Sequence, residues 1–229
     1  MARSFARREV PVEHVKFHFD PLCPWCYQTS RWARRLEELG DVELSWGVFS
    51  LEVVNLEEGT DRREFDARSG PALRTAVTIR DTLSAKAIGP FYAALGRRVW
   101  ESPPFPDDPV AAVREALEQA ALDPGLCDTA LADERSWDAV LAEHDALVER
   151  TGSFGVPTLV LDGGTGPAIF GPVISVLPND DDARMLWHHT LGLLRYGNFS
   201  ELKRSRAVPP DLPTAKWYRE QREREQAGS

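Results

Sequence analysis

Apolar and polar residues alternate from His14 to Asp20, which places Val15, Phe17 and Phe19 on one face of an extended segment. The next residues, Tyr27 to Leu39, have the composition of a helix. Alternation returns at Val42 to Phe49, with Val42, Leu44, Trp46 and Val48 on one face. This second strand is expected to run on through Ser50 to Asn55, before polar punctuation at Glu57, Glu58 and Gly59. The opening therefore reads β-α-β, a helix crossing between parallel strands. From Asp61 to Thr151 no strand pattern occurs. Gly70 to Trp100 is helical in character with a break expected near Gly89-Pro90, Ser102 to Pro109 is a proline-rich connector, and Val110 to Leu122 is an Ala-rich helix. In Ser136 to Arg150 the residues Trp137, Val140, Leu141, His144, Leu147 and Val148 recur at helical spacing and form an apolar stripe. Thr158 to Asp162 and Ala168 to Gly171, joined by a glycine-rich turn, read as a hairpin. The helix Asp180 to Tyr196 follows, with Ala183, Trp187, Leu191 and Leu194 on one side. The tail from Val208 is proline-punctuated and then charged, and is expected to pack loosely or fray.

The element order predicts an α/β fold. Residues 13–60 and 152–206 would form a discontinuous domain around a four-stranded sheet. Residues 61–151 would be an inserted helical subdomain, and 207–229 a C-terminal tail. Of the 229 residues, 42% are hydrophobic and 28% charged, so the chain buries a core rather than remaining disordered. A net charge of −9 argues against general nucleic-acid binding, and Arg31, Arg34 and Arg35 read as a solvated helix face. No run reaches the roughly 20 apolar residues of a membrane span. Met1 to Glu13 holds arginines without a following apolar stretch, so no secretory signal is expected there and a cytoplasmic location is.

The chemistry concentrates in Cys23-Pro24-Trp25-Cys26, between the first strand and the first helix. A cysteine at a helix N-terminus meets unpaired N–H groups and the positive end of the helix dipole. Such surroundings lower a thiol pKa from about 8.5 to roughly 3.5–7.5, and the thiolate is the nucleophile. Cys26, three residues on, shares that helix face and can resolve a mixed disulfide. Trp25 either packs over the helix start or offers a platform for a planar ligand. Because it carries no positive charge, the couple should be less oxidising than the strongest disulfide donors. His18 is either a tuning residue or a strand residue on the polar face. Asp20 either helps proton transfer to Cys26 or simply ends the strand. Cys127, alone at Asp123-Pro124-Gly125-Leu126-Cys127-Asp128, reads as a semi-buried packing residue at a turn entering a helix.

Gly155-Val156-Pro157-Thr158 stands just before the third strand. A cis Pro157 there would leave the Val156 backbone free to pair with an incoming chain, while a trans proline opening the strand is the alternative.

Phe19-Asp20-Pro21-Leu22-Cys23-Pro24-Trp25-Cys26, Gly155-Val156-Pro157-Thr158 and Phe170-Gly171-Pro172-Val173 resemble the DsbA-like branch of the thioredoxin superfamily. The resemblance is closest to its cytosolic mycothiol-dependent nitroreductases. Ser30-Arg31-Trp32, Ser50-Leu51 through Asn55, and Phe199 to Arg206 add further matches. The resemblance implies a thioredoxin-like fold with an inserted all-helical subdomain, a cis Pro157 and Cys23 as nucleophile. It also implies a substrate site that includes Pro24, Trp25, Asn55, Val156 and Pro157. Mycothiol would be the reducing co-substrate with no tightly bound cofactor, and nitro compounds or disulfides the substrates. A tyrosine of the family aligns with Phe65, which lacks the hydroxyl.

Three rivals define what to look for. A structural zinc site needs four ligands, and no second cysteine pair accompanies Cys23 and Cys26; His14, His18, His144, His188 and His189 have no ligand spacing. An isomerase or transferase of the kappa glutathione-transferase type resembles this chain in fold but typically uses a serine without a dithiol. A peptide-binding chaperone would keep its function without either cysteine.

Overall fold

A computed structural model describes residues 12–152 and 155–227. The expectation for Met1 to Glu13 falls outside these residues except at Val12 and Glu13, as does the end of the tail at Gly228 and Ser229. Strand β1 (Glu13–Phe19) buries Val15, Phe17 and Phe19 almost completely. Helix α1 (Pro24–Glu38) crosses to β2 (Val42–Val48), parallel to β1 with Phe17 opposite Trp46. The late hairpin, β3 (Thr158–Val160) and β4 (Ala168–Phe170), is antiparallel and pairs β3 to the other side of β1, with Leu159 opposite Phe17. The order β2-β1-β3-β4 is therefore mixed. A helical crossover permits a parallel pair, whereas the short turn through Asp162–Gly164 permits only an antiparallel one.

The second strand does not run on to Asn55. It stops at Val48, and Ser50 caps a short helix α2 (Leu51–Val54), its Oγ accepting the Val53 N–H at 3.2 Å. A capping hydroxyl satisfies an N-terminal amide that a strand would have left to a neighbour. Between β2 and β3 lie α3 (Gly70–Thr82), α4 (Ile88–Gly96), a π-helical turn (Arg97–Glu101), α5 (Pro109–Gln119), α6 (Gly125–Ala132) and α7 (Arg135–Thr151). The break expected at Gly89-Pro90 falls earlier, around Leu83 to Ala87. Pro90 sits in the first turn of α4, where a missing N–H costs nothing. Helix α8 (Asp180–Arg195) is capped by Asn179, whose side-chain oxygen accepts the Asp182 N–H at 2.9 Å. It packs on α1, with the Trp32 indole N–H donating to the Ala183 carbonyl at 3.1 Å.

The tail is not loose. It forms α9 (Pro213–Ala227), which packs against the π-helical turn, with Leu212 and Thr214 fully buried at its start. Two other polar residues are covered by elements whose placement the local pattern does not reveal. His18 is only 4% exposed because α7 lays Glu143 over that face of β1, with Nε2 and Oε1 3.5 Å apart. Burial pushes the His18 pKa down despite Glu143. Arg34 belongs to no solvated face: its guanidinium lies 5.3 to 5.9 Å from the ring centroids of Tyr27, Trp46 and Tyr92. Tyr92, from α4, also stacks on Phe19 at 3.8 Å, so the helical block and the sheet share one core. Among the described residues no helix is long and apolar enough to cross a membrane.

Candidate active site

Where β1 ends, Asp20 is fully buried and its carboxylate accepts two amides, Leu22 N–H at 2.7 Å and Leu51 N–H at 2.6 Å. These bonds tie the loop before the motif to the start of α2. Cys23 then adopts an extended conformation as N-cap of α1, with Pro24 following in the first turn. Its Sγ accepts the Cys26 N–H at 3.3 Å, so the sulfur takes the place of a capping oxygen at the positive end of the helix. The same Sγ lies 3.7 Å from the Val156 carbonyl, to which the thiol donates. Two segments 133 residues apart thus meet at one sulfur.

The Val156–Pro157 peptide is cis, and so are Pro103–Pro104 and Gly171–Pro172, which the sequence reading did not single out. Cys23 is 5% exposed and Cys26 not at all. Burial pushes the Cys26 thiol pKa up, and the hydrogen bond and charge of Cys23 push it further. Burial also lifts the Asp20 carboxyl, against the pull of its two amides, to about 7. Asp20 lies close enough for its charge to act on Cys26, and its two amide bonds fix the end of β1.

The other anticipated residues differ in their surroundings. Trp25 is half-buried against the core, with the Arg206 guanidinium 5.5 Å from its ring centroid. The motif is therefore not without a neighbouring positive charge. Asn55 caps α2, its amide donating to the Leu51 carbonyl at 2.6 Å, and is exposed. Phe65 is partly buried against the core. Cys127 is wholly buried rather than half-exposed, and burial raises its thiol pKa. Among the described residues no cluster of three or more His, Cys, Asp or Glu is arranged to hold a metal ion. A cavity of about 310 Å³ lies beside α2 and α7, lined by residues such as Val53, Arg62 and His144. None of the motif residues lines it.

Sequence reasoning missed the brace that holds the motif from the helical block. The Trp100 indole N–H donates to the Pro21 carbonyl at 3.0 Å. The Tyr27 hydroxyl donates to Glu101 at 2.7 Å, and Arg31 approaches the same carboxylate at 3.7 Å. Trp100 and Glu101 end a helical stretch just before the proline connector, and nothing in their local pattern marks them as partners of the motif.

A mixed four-stranded sheet with two cysteines at the N-terminus of its crossover helix, and helices α3–α7 between β2 and β3, is a thioredoxin-like fold of the DsbA-like kind. Residues 22–204 match the model of the Rv2466c-like family, described as mycothiol-dependent nitroreductase Rv2466c, and the chain belongs to that family. It is 35% identical over 199 residues, 86% of this chain and 84% of the relative, to the uncharacterized protein Rv2286c of Mycobacterium tuberculosis. Among solved structures it is similar to the cytosolic disulfide reductase DsbM of Pseudomonas aeruginosa with GSH. That match has a TM-score of 0.53 and 18% identity, covering 79% of this chain and all (100%) of that one. It is also similar to a 2-hydroxychromene-2-carboxylate isomerase (TM-score 0.53, 19% identity, 78% of this chain and 94% of that one). At these identities the two structures speak for the fold alone.

Proposed function

We propose that this protein is a cytosolic thiol–disulfide oxidoreductase in which Cys23 is the nucleophile, Cys26 the resolving thiol and mycothiol the reducing co-substrate. One observation carries the reading: the Cys23 sulfur is held between the Cys26 N–H and the Val156 carbonyl, at the meeting point of the motif and the Pro157 segment. In the forward half-cycle the Cys23 thiolate attacks one sulfur of a disulfide. A Cys23–substrate bond forms, the substrate S–S bond breaks, and one thiolate leaves. Cys26 then loses its proton, for which Asp20, with a carboxyl near 7, is the nearby acceptor, and attacks Cys23. The second substrate thiolate leaves and the Cys23–Cys26 disulfide remains, two electrons having passed to the substrate. Two mycothiol molecules reverse these exchanges and end as their own disulfide.

The substrate lies along Val156 and Pro157 with Pro24 and Trp25 as its other wall; Asn55 stands at the α2 end. In this reading residues 13–60 and 152–206 carry the chemistry, and 61–151 brace it. The family's description adds nitro compounds as substrates. There the dithiol's two electrons and two protons take a nitro group to nitroso with loss of water. Phe65 offers no hydroxyl for that step, so the thiol exchange is the better supported half.

The test is a matched set of wild type, Cys23→Ser, Cys26→Ser and the double variant, given the disulfide of mycothiol and, separately, mycothiol with a nitroaromatic. Cys26→Ser should trap a mixed disulfide on Cys23, visible as an added mycothiol mass, and Cys23→Ser should be inactive. Turnover by Cys23→Ser would sink the thiol mechanism. Function retained in the double variant would favour a chaperone.

A further inference from the structure

We propose that residues 199–206 form a cationic strap beside the dithiol that selects anionic substrates. The proposal rests on the dithiol reading above and extends it to the substrate's charge. The segment has neither helix nor strand, and residues 200–206 are all exposed. Its ends are nevertheless pinned. The Phe199 N–H donates to the Tyr196 carbonyl at 2.9 Å. Beyond Arg206, the Ser175 hydroxyl donates to the Val208 carbonyl at 2.7 Å, and the Asp211 N–H donates to the Ser175 carbonyl at 2.7 Å. The Gln28 amide of α1 donates to that same Ser175 carbonyl at 3.2 Å, so the anchor is tied to the helix that bears the cysteines. Arg206 is thereby held two residues from a fixed point, with its guanidinium 5.5 Å from the Trp25 ring.

The charges on this strap are unmatched. Within it Lys203, Arg204 and Arg206 are accompanied by a single acid, Glu201, in a chain whose net charge is −9. Among the described residues none of the three cations has a carboxylate partner, whereas Arg31, Arg35 and Arg195 pair with Glu101, Asp180 and Glu13. The acids on neighbouring elements are already occupied: Glu101 by Tyr27 and Arg31, Asp211 by Lys216. A guanidinium resting on an indole face is loosely held and presents a planar fork that suits a carboxylate. A charge at the rim of a site acts mainly on encounter rate and salt dependence. The substrate class that fits is a small aromatic or thiol-derived molecule carrying a carboxylate or similar anion, its flat part against Trp25 and its charge at Arg206.

The measurement is single-turnover oxidation of the reduced enzyme by two disulfides, the dicarboxylate dithiobis(nitrobenzoate) and the neutral dithiodipyridine. With either, the dithiol gives up two electrons and becomes the Cys23–Cys26 disulfide, releasing two aryl thiolates. Replacing Lys203, Arg204 and Arg206 together by Gln should slow the dicarboxylate about three- to tenfold more than the neutral reagent. Arg206→Glu alone should act in the same direction. For wild type, the preference for the dicarboxylate should shrink between about 20 mM and about 500 mM NaCl. Equal slowing of both reagents, or a preference untouched by salt, would overturn the strap. Failure of both reagents to oxidise wild type, with Cys23 unmodified, would bring down the dithiol reading itself.

Discussion

Asp20→Asn tests the buried carboxyl that receives the proton in the proposed transfer from Cys26. Raising that carboxyl from 3.8 to about 7 makes its ionised form cost the folded state about 4 kcal/mol. A raised carboxylate binds its proton more tightly folded than unfolded. Its stabilising protonation is therefore fully present below about pH 4 and lost as pH rises through about 7. Between pH 5 and pH 8 the wild type should lose roughly 2.5 kcal/mol through this one group. Asn carries no charge and feels none of that change, but it has one carbonyl oxygen for two amides, those of Leu22 and Leu51. Leaving one of them unsatisfied costs about 1–3 kcal/mol. The variant should thus be more stable than wild type at pH 8, by about 1–3 kcal/mol, and equal or less stable at pH 5. Urea unfolding of both proteins at the two pH values, with thiols kept reduced, gives the four free energies needed. A difference between the proteins that shifts by less than about 0.5 kcal/mol from pH 5 to pH 8 would show that Asp20 does not titrate in this range, and the proton acceptor would have to be another group.

Gly96→Ala would place a Cβ 2.0 Å from the Tyr27 ring, one residue past Cys26, so the ring must leave and its bond to Glu101 must break. A loss of about 1–3 kcal/mol in chemical denaturation is expected, with slower mixed-disulfide resolution; wild-type stability would contradict the close α1–α4 approach. Burial opposes the charge on Glu143, but the hydrogen bond and charges of His18 and Lys16 prevail and hold its carboxyl at about 2. Because that value is depressed, its contribution of about 3 kcal/mol is present above about pH 4.5 and lost as pH falls towards 2. Glu143→Gln should destabilise at pH 7, and its deficit should close in acid; a pH-independent deficit would argue against the ion cluster. Cys127→Ala should keep full thiol-exchange activity at a stability cost of about 1 kcal/mol, read by oxidation with dithiobis(nitrobenzoate) and by urea unfolding.

The residues proposed to do the chemistry are legible because their signal is local. Cys23 and Cys26 are set by a strand-to-helix junction four residues wide, and the alternation of Val15, Phe17 and Phe19 or of Leu44, Trp46 and Val48 reports burial directly. The amphipathic stripe of α7 was readable for the same reason, down to His144, which accepts the Ser50 N–H. Patterns failed where a capping group competed with a propensity, as at Ser50, or where a charged face was covered from afar. Arg34 and His18 look like surface residues until α4 and α7 are laid over them. Asp20 looks like a strand end until Leu51 docks on it. The tail looks frayed until Leu212 enters the core.

Sequence alone thus determined the class of chemistry, since two thiols at a helix start need only local geometry to react. Tertiary structure decided their surroundings: which carbonyl faces Cys23 and which cation rests on Trp25. Electrostatic effects on a sulfur depend on distance and on exclusion of water, and both are set by segments more than a hundred residues away along the chain.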